Sequence, residues 1–382
     1  MQIQRIVEQV RGAEPRLRAR LRELVEIESP SDDRDAVNRA ADLVVGWARE
    51  LGAEVKRHNG GTFGDVVELR FDAGADRKPV LMLGHLDTVY SMGTLATMPW
   101  REVDAEDGVR LQGPGVVDMK AGVVMALEAI AALRELNALN RPVTLLLNPD
   151  EEVGSEVSRP HTERLARESE AVFVLEPAQG LAYKTARKGV GHLELIVDGV
   201  AAHAGVDFAS GHSAVLEMAR LVEEISGWTD LSKGRTVNVG VVSGGTRSNV
   251  IAAQCKAEVD VRVVTLEDAA RVEELFRGLR TRDAACTLRV EGGINRPPME
   301  RSTGTVKLFQ RAQRLAAEIG LDLQEASTGG GSDGNFTAAM GVPTLDGMGA
   351  VGGGAHSPGE YVVAGHLVER TALLAAMLQS EL

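Results

Sequence analysis

The chain has 382 residues, 44% of them hydrophobic and 25% charged, which is ordinary globular composition, excludes a disordered chain and suggests about two domains of roughly 150 residues each. A formal net charge of −13 repels phosphate backbones and anionic lipid, and aromatic residues at only 3% leave little on which bases could stack, so a nucleic-acid partner is excluded. The two cysteines, Cys255 and Cys286, form no C-x-x-C pattern and are expected as reduced, packed thiols.

The amino-terminal residues Met1-Gln2-Ile3-Gln4-Arg5 lead into a charged, helix-like stretch without the apolar core and cleavage site of a signal peptide, so a cytoplasmic location is expected. No uncharged apolar run reaches the ~18 residues of a membrane span; the longest, 122–133, contains Glu128. No membrane partner is expected. Leu17, Leu21, Leu24 and Val25 recur at helical spacing after Pro15, and Val37, Leu43, Val44, Trp47 and Leu51 do so before Gly52. The spacing predicts two amphipathic helices. Short apolar runs come next at 79–83 (PVLML), 143–147 (VTLLL) and 171–175 (AVFVL), with a helix-length stretch at 119–136. Runs of this kind suit strands buried on both faces, and predict an α/β fold with a mainly parallel, mixed sheet flanked by helices.

From Lys188 the texture changes. Strands are predicted at 192–197, 236–242, 257–263 and 286–290, with helices at 213–225 and 266–279; Thr265, with Asp268 three residues on, caps the second. Residues 257–263 alternate as A-E-V-D-V-R-V, so one face of that sheet is solvated. The order is βαββαβ, a ferredoxin-like unit. After Arg296-Pro297-Pro298 the α/β texture returns, with a helix near 305–319, a strand at 342–345 and a closing helix from His366. The predicted organisation is therefore a discontinuous domain, 1–187 and 300–382, interrupted by an inserted domain at 188–299.

The residues at the end of each apolar run point to chemistry. The first run leads to Gly84-His85-Leu86-Asp87, the second to Asn148-Pro149-Asp150-Glu151-Glu152 and the third to Glu176-Pro177. In open α/β sheets ligands bind beyond the carboxyl ends of the strands, so these loops are expected to converge. Asp118 and, from the loop Gly352-Gly353-Gly354-Ala355-His356, a second imidazole complete the set. Singly, each is an ordinary feature: a histidine after a strand caps it, and paired glutamates favour a helix start. Together, two histidines and five carboxylates would raise one another's pKa values unless cations neutralised them. If Asp118, Glu152 and Glu176 bind directly, three carboxylates against two dications leave a single positive charge, which a bound hydroxide cancels. Imidazole and carboxylate without thiolate suit zinc, cobalt or manganese. Asp87 is placed to hold the other nitrogen of His85.

In these segments the chain resembles the co-catalytic dizinc exopeptidases and deacylases, the family that includes glutamate carboxypeptidase, acetylornithine deacetylase, succinyl-diaminopimelate desuccinylase and aminoacylase. The matching segments are GHLDTV at 84–89, GPGVVDMKAG at 113–122, NPDEEVGS at 148–155, LEP at 175–177, AAHAG at 201–205, TGGGSD at 328–333 and AHS at 355–357. Segments GTLA at 93–96, RSNVIAA at 247–253 and NRPP at 295–298 are similar to those of glutamate carboxypeptidase in particular. The resemblance implies that His85, Asp118 and Glu176 hold one metal ion and Asp118, Glu152 and His356 another, with Asp118 bridging. It implies Glu151 as general base acting on a metal-bridging water, Asp87 as orienting partner, and a cis peptide after Asp118. The inserted domain would be a lid and dimerisation domain, with His203 reaching across a homodimer. Arg296 would clamp a substrate carboxylate, helped by the amide of Gly330, and Asn249 would contact the scissile region. Val206-Asp207-Phe208-Ala209 stands where relatives carry a proline, Ala121 replaces a frequent glycine, and Met119 a frequent acid. The expected activity is amide hydrolysis that releases a C-terminal, glutamate-like amino acid from small peptides or N-acyl amino acids. A biosynthetic deacylase, an aminopeptidase and an inert metal-binding scaffold are the alternatives.

Overall fold

The computed structural model describes residues 2–379; Met1, the first residue of the stretch read as lacking a signal peptide, lies outside the described residues, as do 380–382. The chain divides into two compact units: Met1–Ala186, Arg301–Ser327 and Ser332–Leu382 in one, Arg187–Glu300 and Thr328–Gly331 in the other.

The first unit is built on a six-stranded mixed sheet in the order Glu54–His58, Val66–Phe71, Val143–Asn148, Val80–His85, Ala171–Val174, Thr344–Leu345. The first two pairings are antiparallel and the other three parallel. The apolar runs form its centre because strand side chains alternate between two covered faces. Val80, Met82, Leu145 and Phe173 face one core with helices Gln2–Val25, Arg34–Glu50, Ala121–Glu135 and Leu367–Gln379. Leu81, Leu83, Leu146 and Val172 face the other, with Leu165 from helix Arg159–Glu168. Burying each such side chain stabilises the fold by about 1.5–3 kcal/mol. Helix Ala121–Glu135 is buried along nearly its whole length, and its one deeply buried charge, Glu128, accepts hydrogen bonds from Arg16 and Arg20.

Three differences from the sequence expectation bear on the fold's core and the site. The first helix starts at least as early as Gln2 and runs through Pro15. Ile3, Ile6 and Val10 continue the buried stripe of Leu17, Leu21 and Leu24 in phase, and that burial outweighs the ~3 kcal/mol an interior proline costs. Strands Glu54–His58 and Val66–Phe71 were not expected, since one is polar and the other is broken by Glu68. The third is a small antiparallel sheet of Gly352–Gly353, Tyr361–Val363, Gly108–Gln112 and Arg101–Ala105.

The second unit is the βαββαβ arrangement: strands Gly189–Asp198, Thr236–Gly244, Gln254–Val263 and Thr287–Arg296, helices Ala214–Ser226 and Leu266–Gly278. Its sheet is antiparallel throughout, with Gly189–Asp198 and Gln254–Val263 in the middle. Cys255, Ala257, Val259 and Val261 pack on Met218, Leu221, Val272 and Phe276 of the helices, while the alternate residues Lys256 and Glu258 are exposed. Ser213 and Thr265 cap the two helices through their hydroxyls. Cys255 and Cys286 are free and buried.

Candidate metal centre

Strands Val143–Asn148, Val80–His85 and Ala171–Val174 are adjacent and parallel, with His85 in register with Asn148. Their carboxyl ends therefore share one edge, and His85, the Asp150–Glu152 turn and Glu176 emerge from it. Asp118 arrives from an irregular turn, Val116–Lys120, just before helix Ala121–Glu135. The Asp118–Met119 peptide is cis, as the resemblance implies. The buried Met119 places its sulfur 3.3 Å from the His85 amide nitrogen, as an acceptor. His356 sits in a glycine-flanked turn with a left-handed backbone, φ 61°.

Among the described residues two groups bring potential metal-ligand atoms within 4.8 Å of one another: His85, Asp118 and Glu176, and Asp118, Glu152 and His356. Asp118 belongs to both, and its two oxygens divide between them. Oδ1 lies 3.1 Å from His85 Nε2, and Oδ2 lies 3.3 Å from His356 Nε2. Glu176 Oε1 is 3.6 Å from His85 Nε2, and Glu152 Oε2 is 3.2 Å from His356 Nε2.

The electrostatics fit a cation site. Burial drives the Glu152 carboxyl up to about 8; the charge of His85 opposes this and that of Asp118 adds to it. Burial would raise Asp118 too, but hydrogen bonds from His356 and His85 outweigh it and hold the group well below the usual carboxylate range. His356 is pushed up to about 9 by its hydrogen bond to Asp118, against the effect of burial. Burial alone would lower His85, yet hydrogen bonds to Asp118, Asp87 and Glu176 raise it well above its ordinary value. The donor set, two imidazoles and three carboxylates with a shared aspartate, suits two divalent cations.

Asp87 is buried beneath the group. The nearer partner of His85 Nδ1 is the Asp87 main-chain carbonyl at 2.9 Å; the carboxylate expected from the sequence lies at 3.4 Å. Besides facing His85, that carboxylate accepts hydrogen bonds from Ser31 Oγ at 2.7 Å and from the amides of Glu151 and Glu152 at 3.2 and 3.1 Å. It fixes the turn carrying both glutamates. Asp333 does similar work from another loop, accepting hydrogen bonds from Asn148 and Ser155. No sequence signal marks its role beyond its place at the close of the TGGGSD segment, and none marks Glu360, four residues beyond His356.

The remaining candidates lie in the second unit and not in the histidine–carboxylate cluster. His203 and Val250 form a β-bridge, and the Asn249 carbonyl accepts from the Ala204 amide at 3.0 Å, so His203 and Asn249 lie on neighbouring segments. Arg296 is buried at the end of its strand, where a Cβ on Gly331 would lie 2.7 Å from Arg296 Cδ. The Gly330 carbonyl accepts from Arg187 Nη1 at 3.2 Å.

A shared carboxylate between two imidazole-bearing groups, at the carboxyl edge of parallel strands, is the donor arrangement of a two-metal hydrolase. Residues 81–380 match peptidase family M20/M25/M40, and the chain belongs to that family of hydrolases. It is 30% identical over 353 residues to carboxypeptidase G2 of Pseudomonas sp. (strain RS-16), covering 90% of this chain and 83% of that protein. It is 28% identical over 332 residues to acetylornithine deacetylase of Myxococcus xanthus, covering 81% and 82%. In fold it is similar to aminopeptidase PepT from Bacillus cereus ATCC 10987, with a TM-score of 0.80 at 22% identity over 96% of this chain and 98% of that one.

Proposed function

We propose that the chain is a two-metal amide hydrolase that releases a C-terminal amino acid from short peptides or N-acyl amino acids. The observation that carries the reading is Asp118, whose two oxygens face one histidine each. His85, Asp118 and Glu176 would hold one cation and Asp118, Glu152 and His356 the other, zinc, cobalt or manganese suiting the donors equally. Two such cations, when bound, lower the pKa of water towards neutrality and polarise an amide carbonyl.

The chain's own groups do the rest. Glu151 takes a proton from the attacking water at its carboxylate and returns it to the departing amide nitrogen as the C–N bond breaks. Asp87, bonded to the Glu151 amide, keeps that carboxylate in place. His203 donates to the developing oxyanion. Asn249 steadies the scissile amide. Arg296 pairs with the carboxylate of the released residue through two parallel hydrogen bonds, assisted by the Gly330 amide. Similarity to carboxypeptidase G2 over most of both chains supports the free-carboxylate preference.

The second unit serves as a lid and as the dimer-forming unit, which brings His203 of one protomer to the site of its partner. Exposed Val215 and Leu216 on helix Ala214–Ser226, and Val241 and Val242 on the edge strand Thr236–Gly244, favour self-association.

Matched amides test the preference. Compounds with a blocked amine and a free carboxylate should turn over, in a chelator-sensitive way, and Arg296→Ala should raise KM for them by about 10–100-fold with a smaller change in kcat. Turnover only of compounds with a free amine and a blocked carboxylate would refute the reading and favour an aminopeptidase.

A further inference from the structure

We propose that Glu360 is a positioning residue that sets the spacing between Asp118 and His356, and so governs the cation position those residues share with Glu152. This rests on the reading that the two donor groups hold cations.

The Glu360 side chain is fully buried. Its Oε1 accepts hydrogen bonds from the amides of Val117 at 2.7 Å and Asp118 at 3.0 Å. Its Oε2 accepts from the Gly115 amide at 3.0 Å and the Tyr90 hydroxyl at 2.7 Å. A carboxylate offers about four acceptor positions, and here all four meet donors. Three are main-chain amides of the turn that carries Asp118. The buried Lys120 ammonium, which donates to the Ile27 carbonyl at 2.8 Å, supplies a compensating charge.

The same residue closes the turn that carries His356. The Glu360 amide donates to the Ser357 carbonyl at 3.1 Å, and the Ser357 amide to the Gly354 carbonyl at 3.0 Å. The Tyr90 hydroxyl, 2.9 Å from the Ser357 carbonyl, spans both turns. Gly354 has a φ of 73°, and a Cβ there would lie 2.6 Å from the Gly359 carbonyl oxygen, so the turn's shape is tightly specified. His356 is outside any strand or helix, with its side chain 53% exposed. His85, in contrast, closes strand Val80–His85, and Glu176 follows the parallel strand Ala171–Val174 by two residues. Loosening Glu360 therefore shifts two of the three donors of the Asp118–Glu152–His356 group but only the shared Asp118 of the His85–Asp118–Glu176 group, and disturbs the first group more.

The test is cobalt(II) titration of the metal-stripped full chain, read by calorimetry and by the cobalt absorption bands. Wild type should take up two ions. Glu360→Gln turns amide hydrogens towards donors and should leave one ion near wild-type affinity while weakening the other about 10–100-fold, with turnover restored by excess cobalt. Tyr90→Phe removes one donor of four and should weaken the same ion by about threefold; it carries the test if near-ultraviolet circular dichroism shows Glu360→Gln unfolded. Second-ion affinity within about twofold of wild type in every folded variant, or equal weakening of both ions, overturns the clamp alone. A wild-type chain that binds fewer than two ions overturns the metal reading and the clamp with it.

Discussion

Two buried carboxylate clusters in the first unit show opposite electrostatics. Glu68, fully buried in strand Val66–Phe71, lies 2.5 Å from Arg70, 2.7 Å from Arg164 and 3.1 Å from His58. Burial would raise its carboxyl, but hydrogen bonds from His58, Arg164 and Arg70 bring it down to about 2. Glu152, among Asp118, Glu176 and two histidines, is driven up to about 8. One cluster carries its own cations; the other has more carboxylates than the protein neutralises. A structural ion pair and a candidate metal centre are thus told apart by how the charges balance, since isolated buried charge is too costly to leave uncompensated.

The contrast breaks most visibly at Asp118. Asp118→Ala removes the carboxylate common to both groups and should cost at least about 1,000-fold in kcat/KM, with both ions lost on elemental analysis; retention of two ions would count against the shared position. Glu151→Gln should keep both ions yet lower kcat by about 100- to 10,000-fold. Wild-type turnover in that variant would eliminate Glu151 as the base.

The smallest effect falls on the other cluster. Glu68→Gln should leave metal content and turnover unchanged while lowering stability by about 1–3 kcal/mol at neutral pH. Because the folded-state pKa is depressed, this contribution is present above the ordinary value of 4.5 and fades as pH falls towards about 2. Thermal melts of both proteins with chelator present should therefore converge on acidification. A gap that holds constant down to about pH 3 would contradict the assignment.

How much of the molecule was legible in the sequence depends on where each signal resides. The runs before His85, Asn148 and Leu175 are continuous and apolar, so the central strands and the loops after them could be read directly. The βαββαβ unit was legible because residues 257–263 alternate and Thr265 caps a helix. Strand Val66–Phe71 was not, because Glu68 interrupts its pattern and only the cations folded around it make its burial tolerable. Asp118 and His356 come from irregular turns that no periodicity marks; they were legible only as metal-capable groups completing the set, and the motif resemblance implied how the set divides. The place of Asp87 beside His85 was legible, but its hold on the Glu151–Glu152 turn, and the work of Asp333 and Glu360, stayed hidden. Each acts by accepting hydrogen bonds from backbone amides or from distant side chains, and no residue pattern records where those donors lie.

The most direct measurement is anomalous diffraction at the metal edge from crystals of the zinc-loaded protein. Two peaks are expected, about 3.5 Å apart and flanking the Asp118 carboxylate, one beside His85 and Glu176 and the other beside Glu152 and His356. A single peak, or peaks away from Asp118, would contradict the two-metal account.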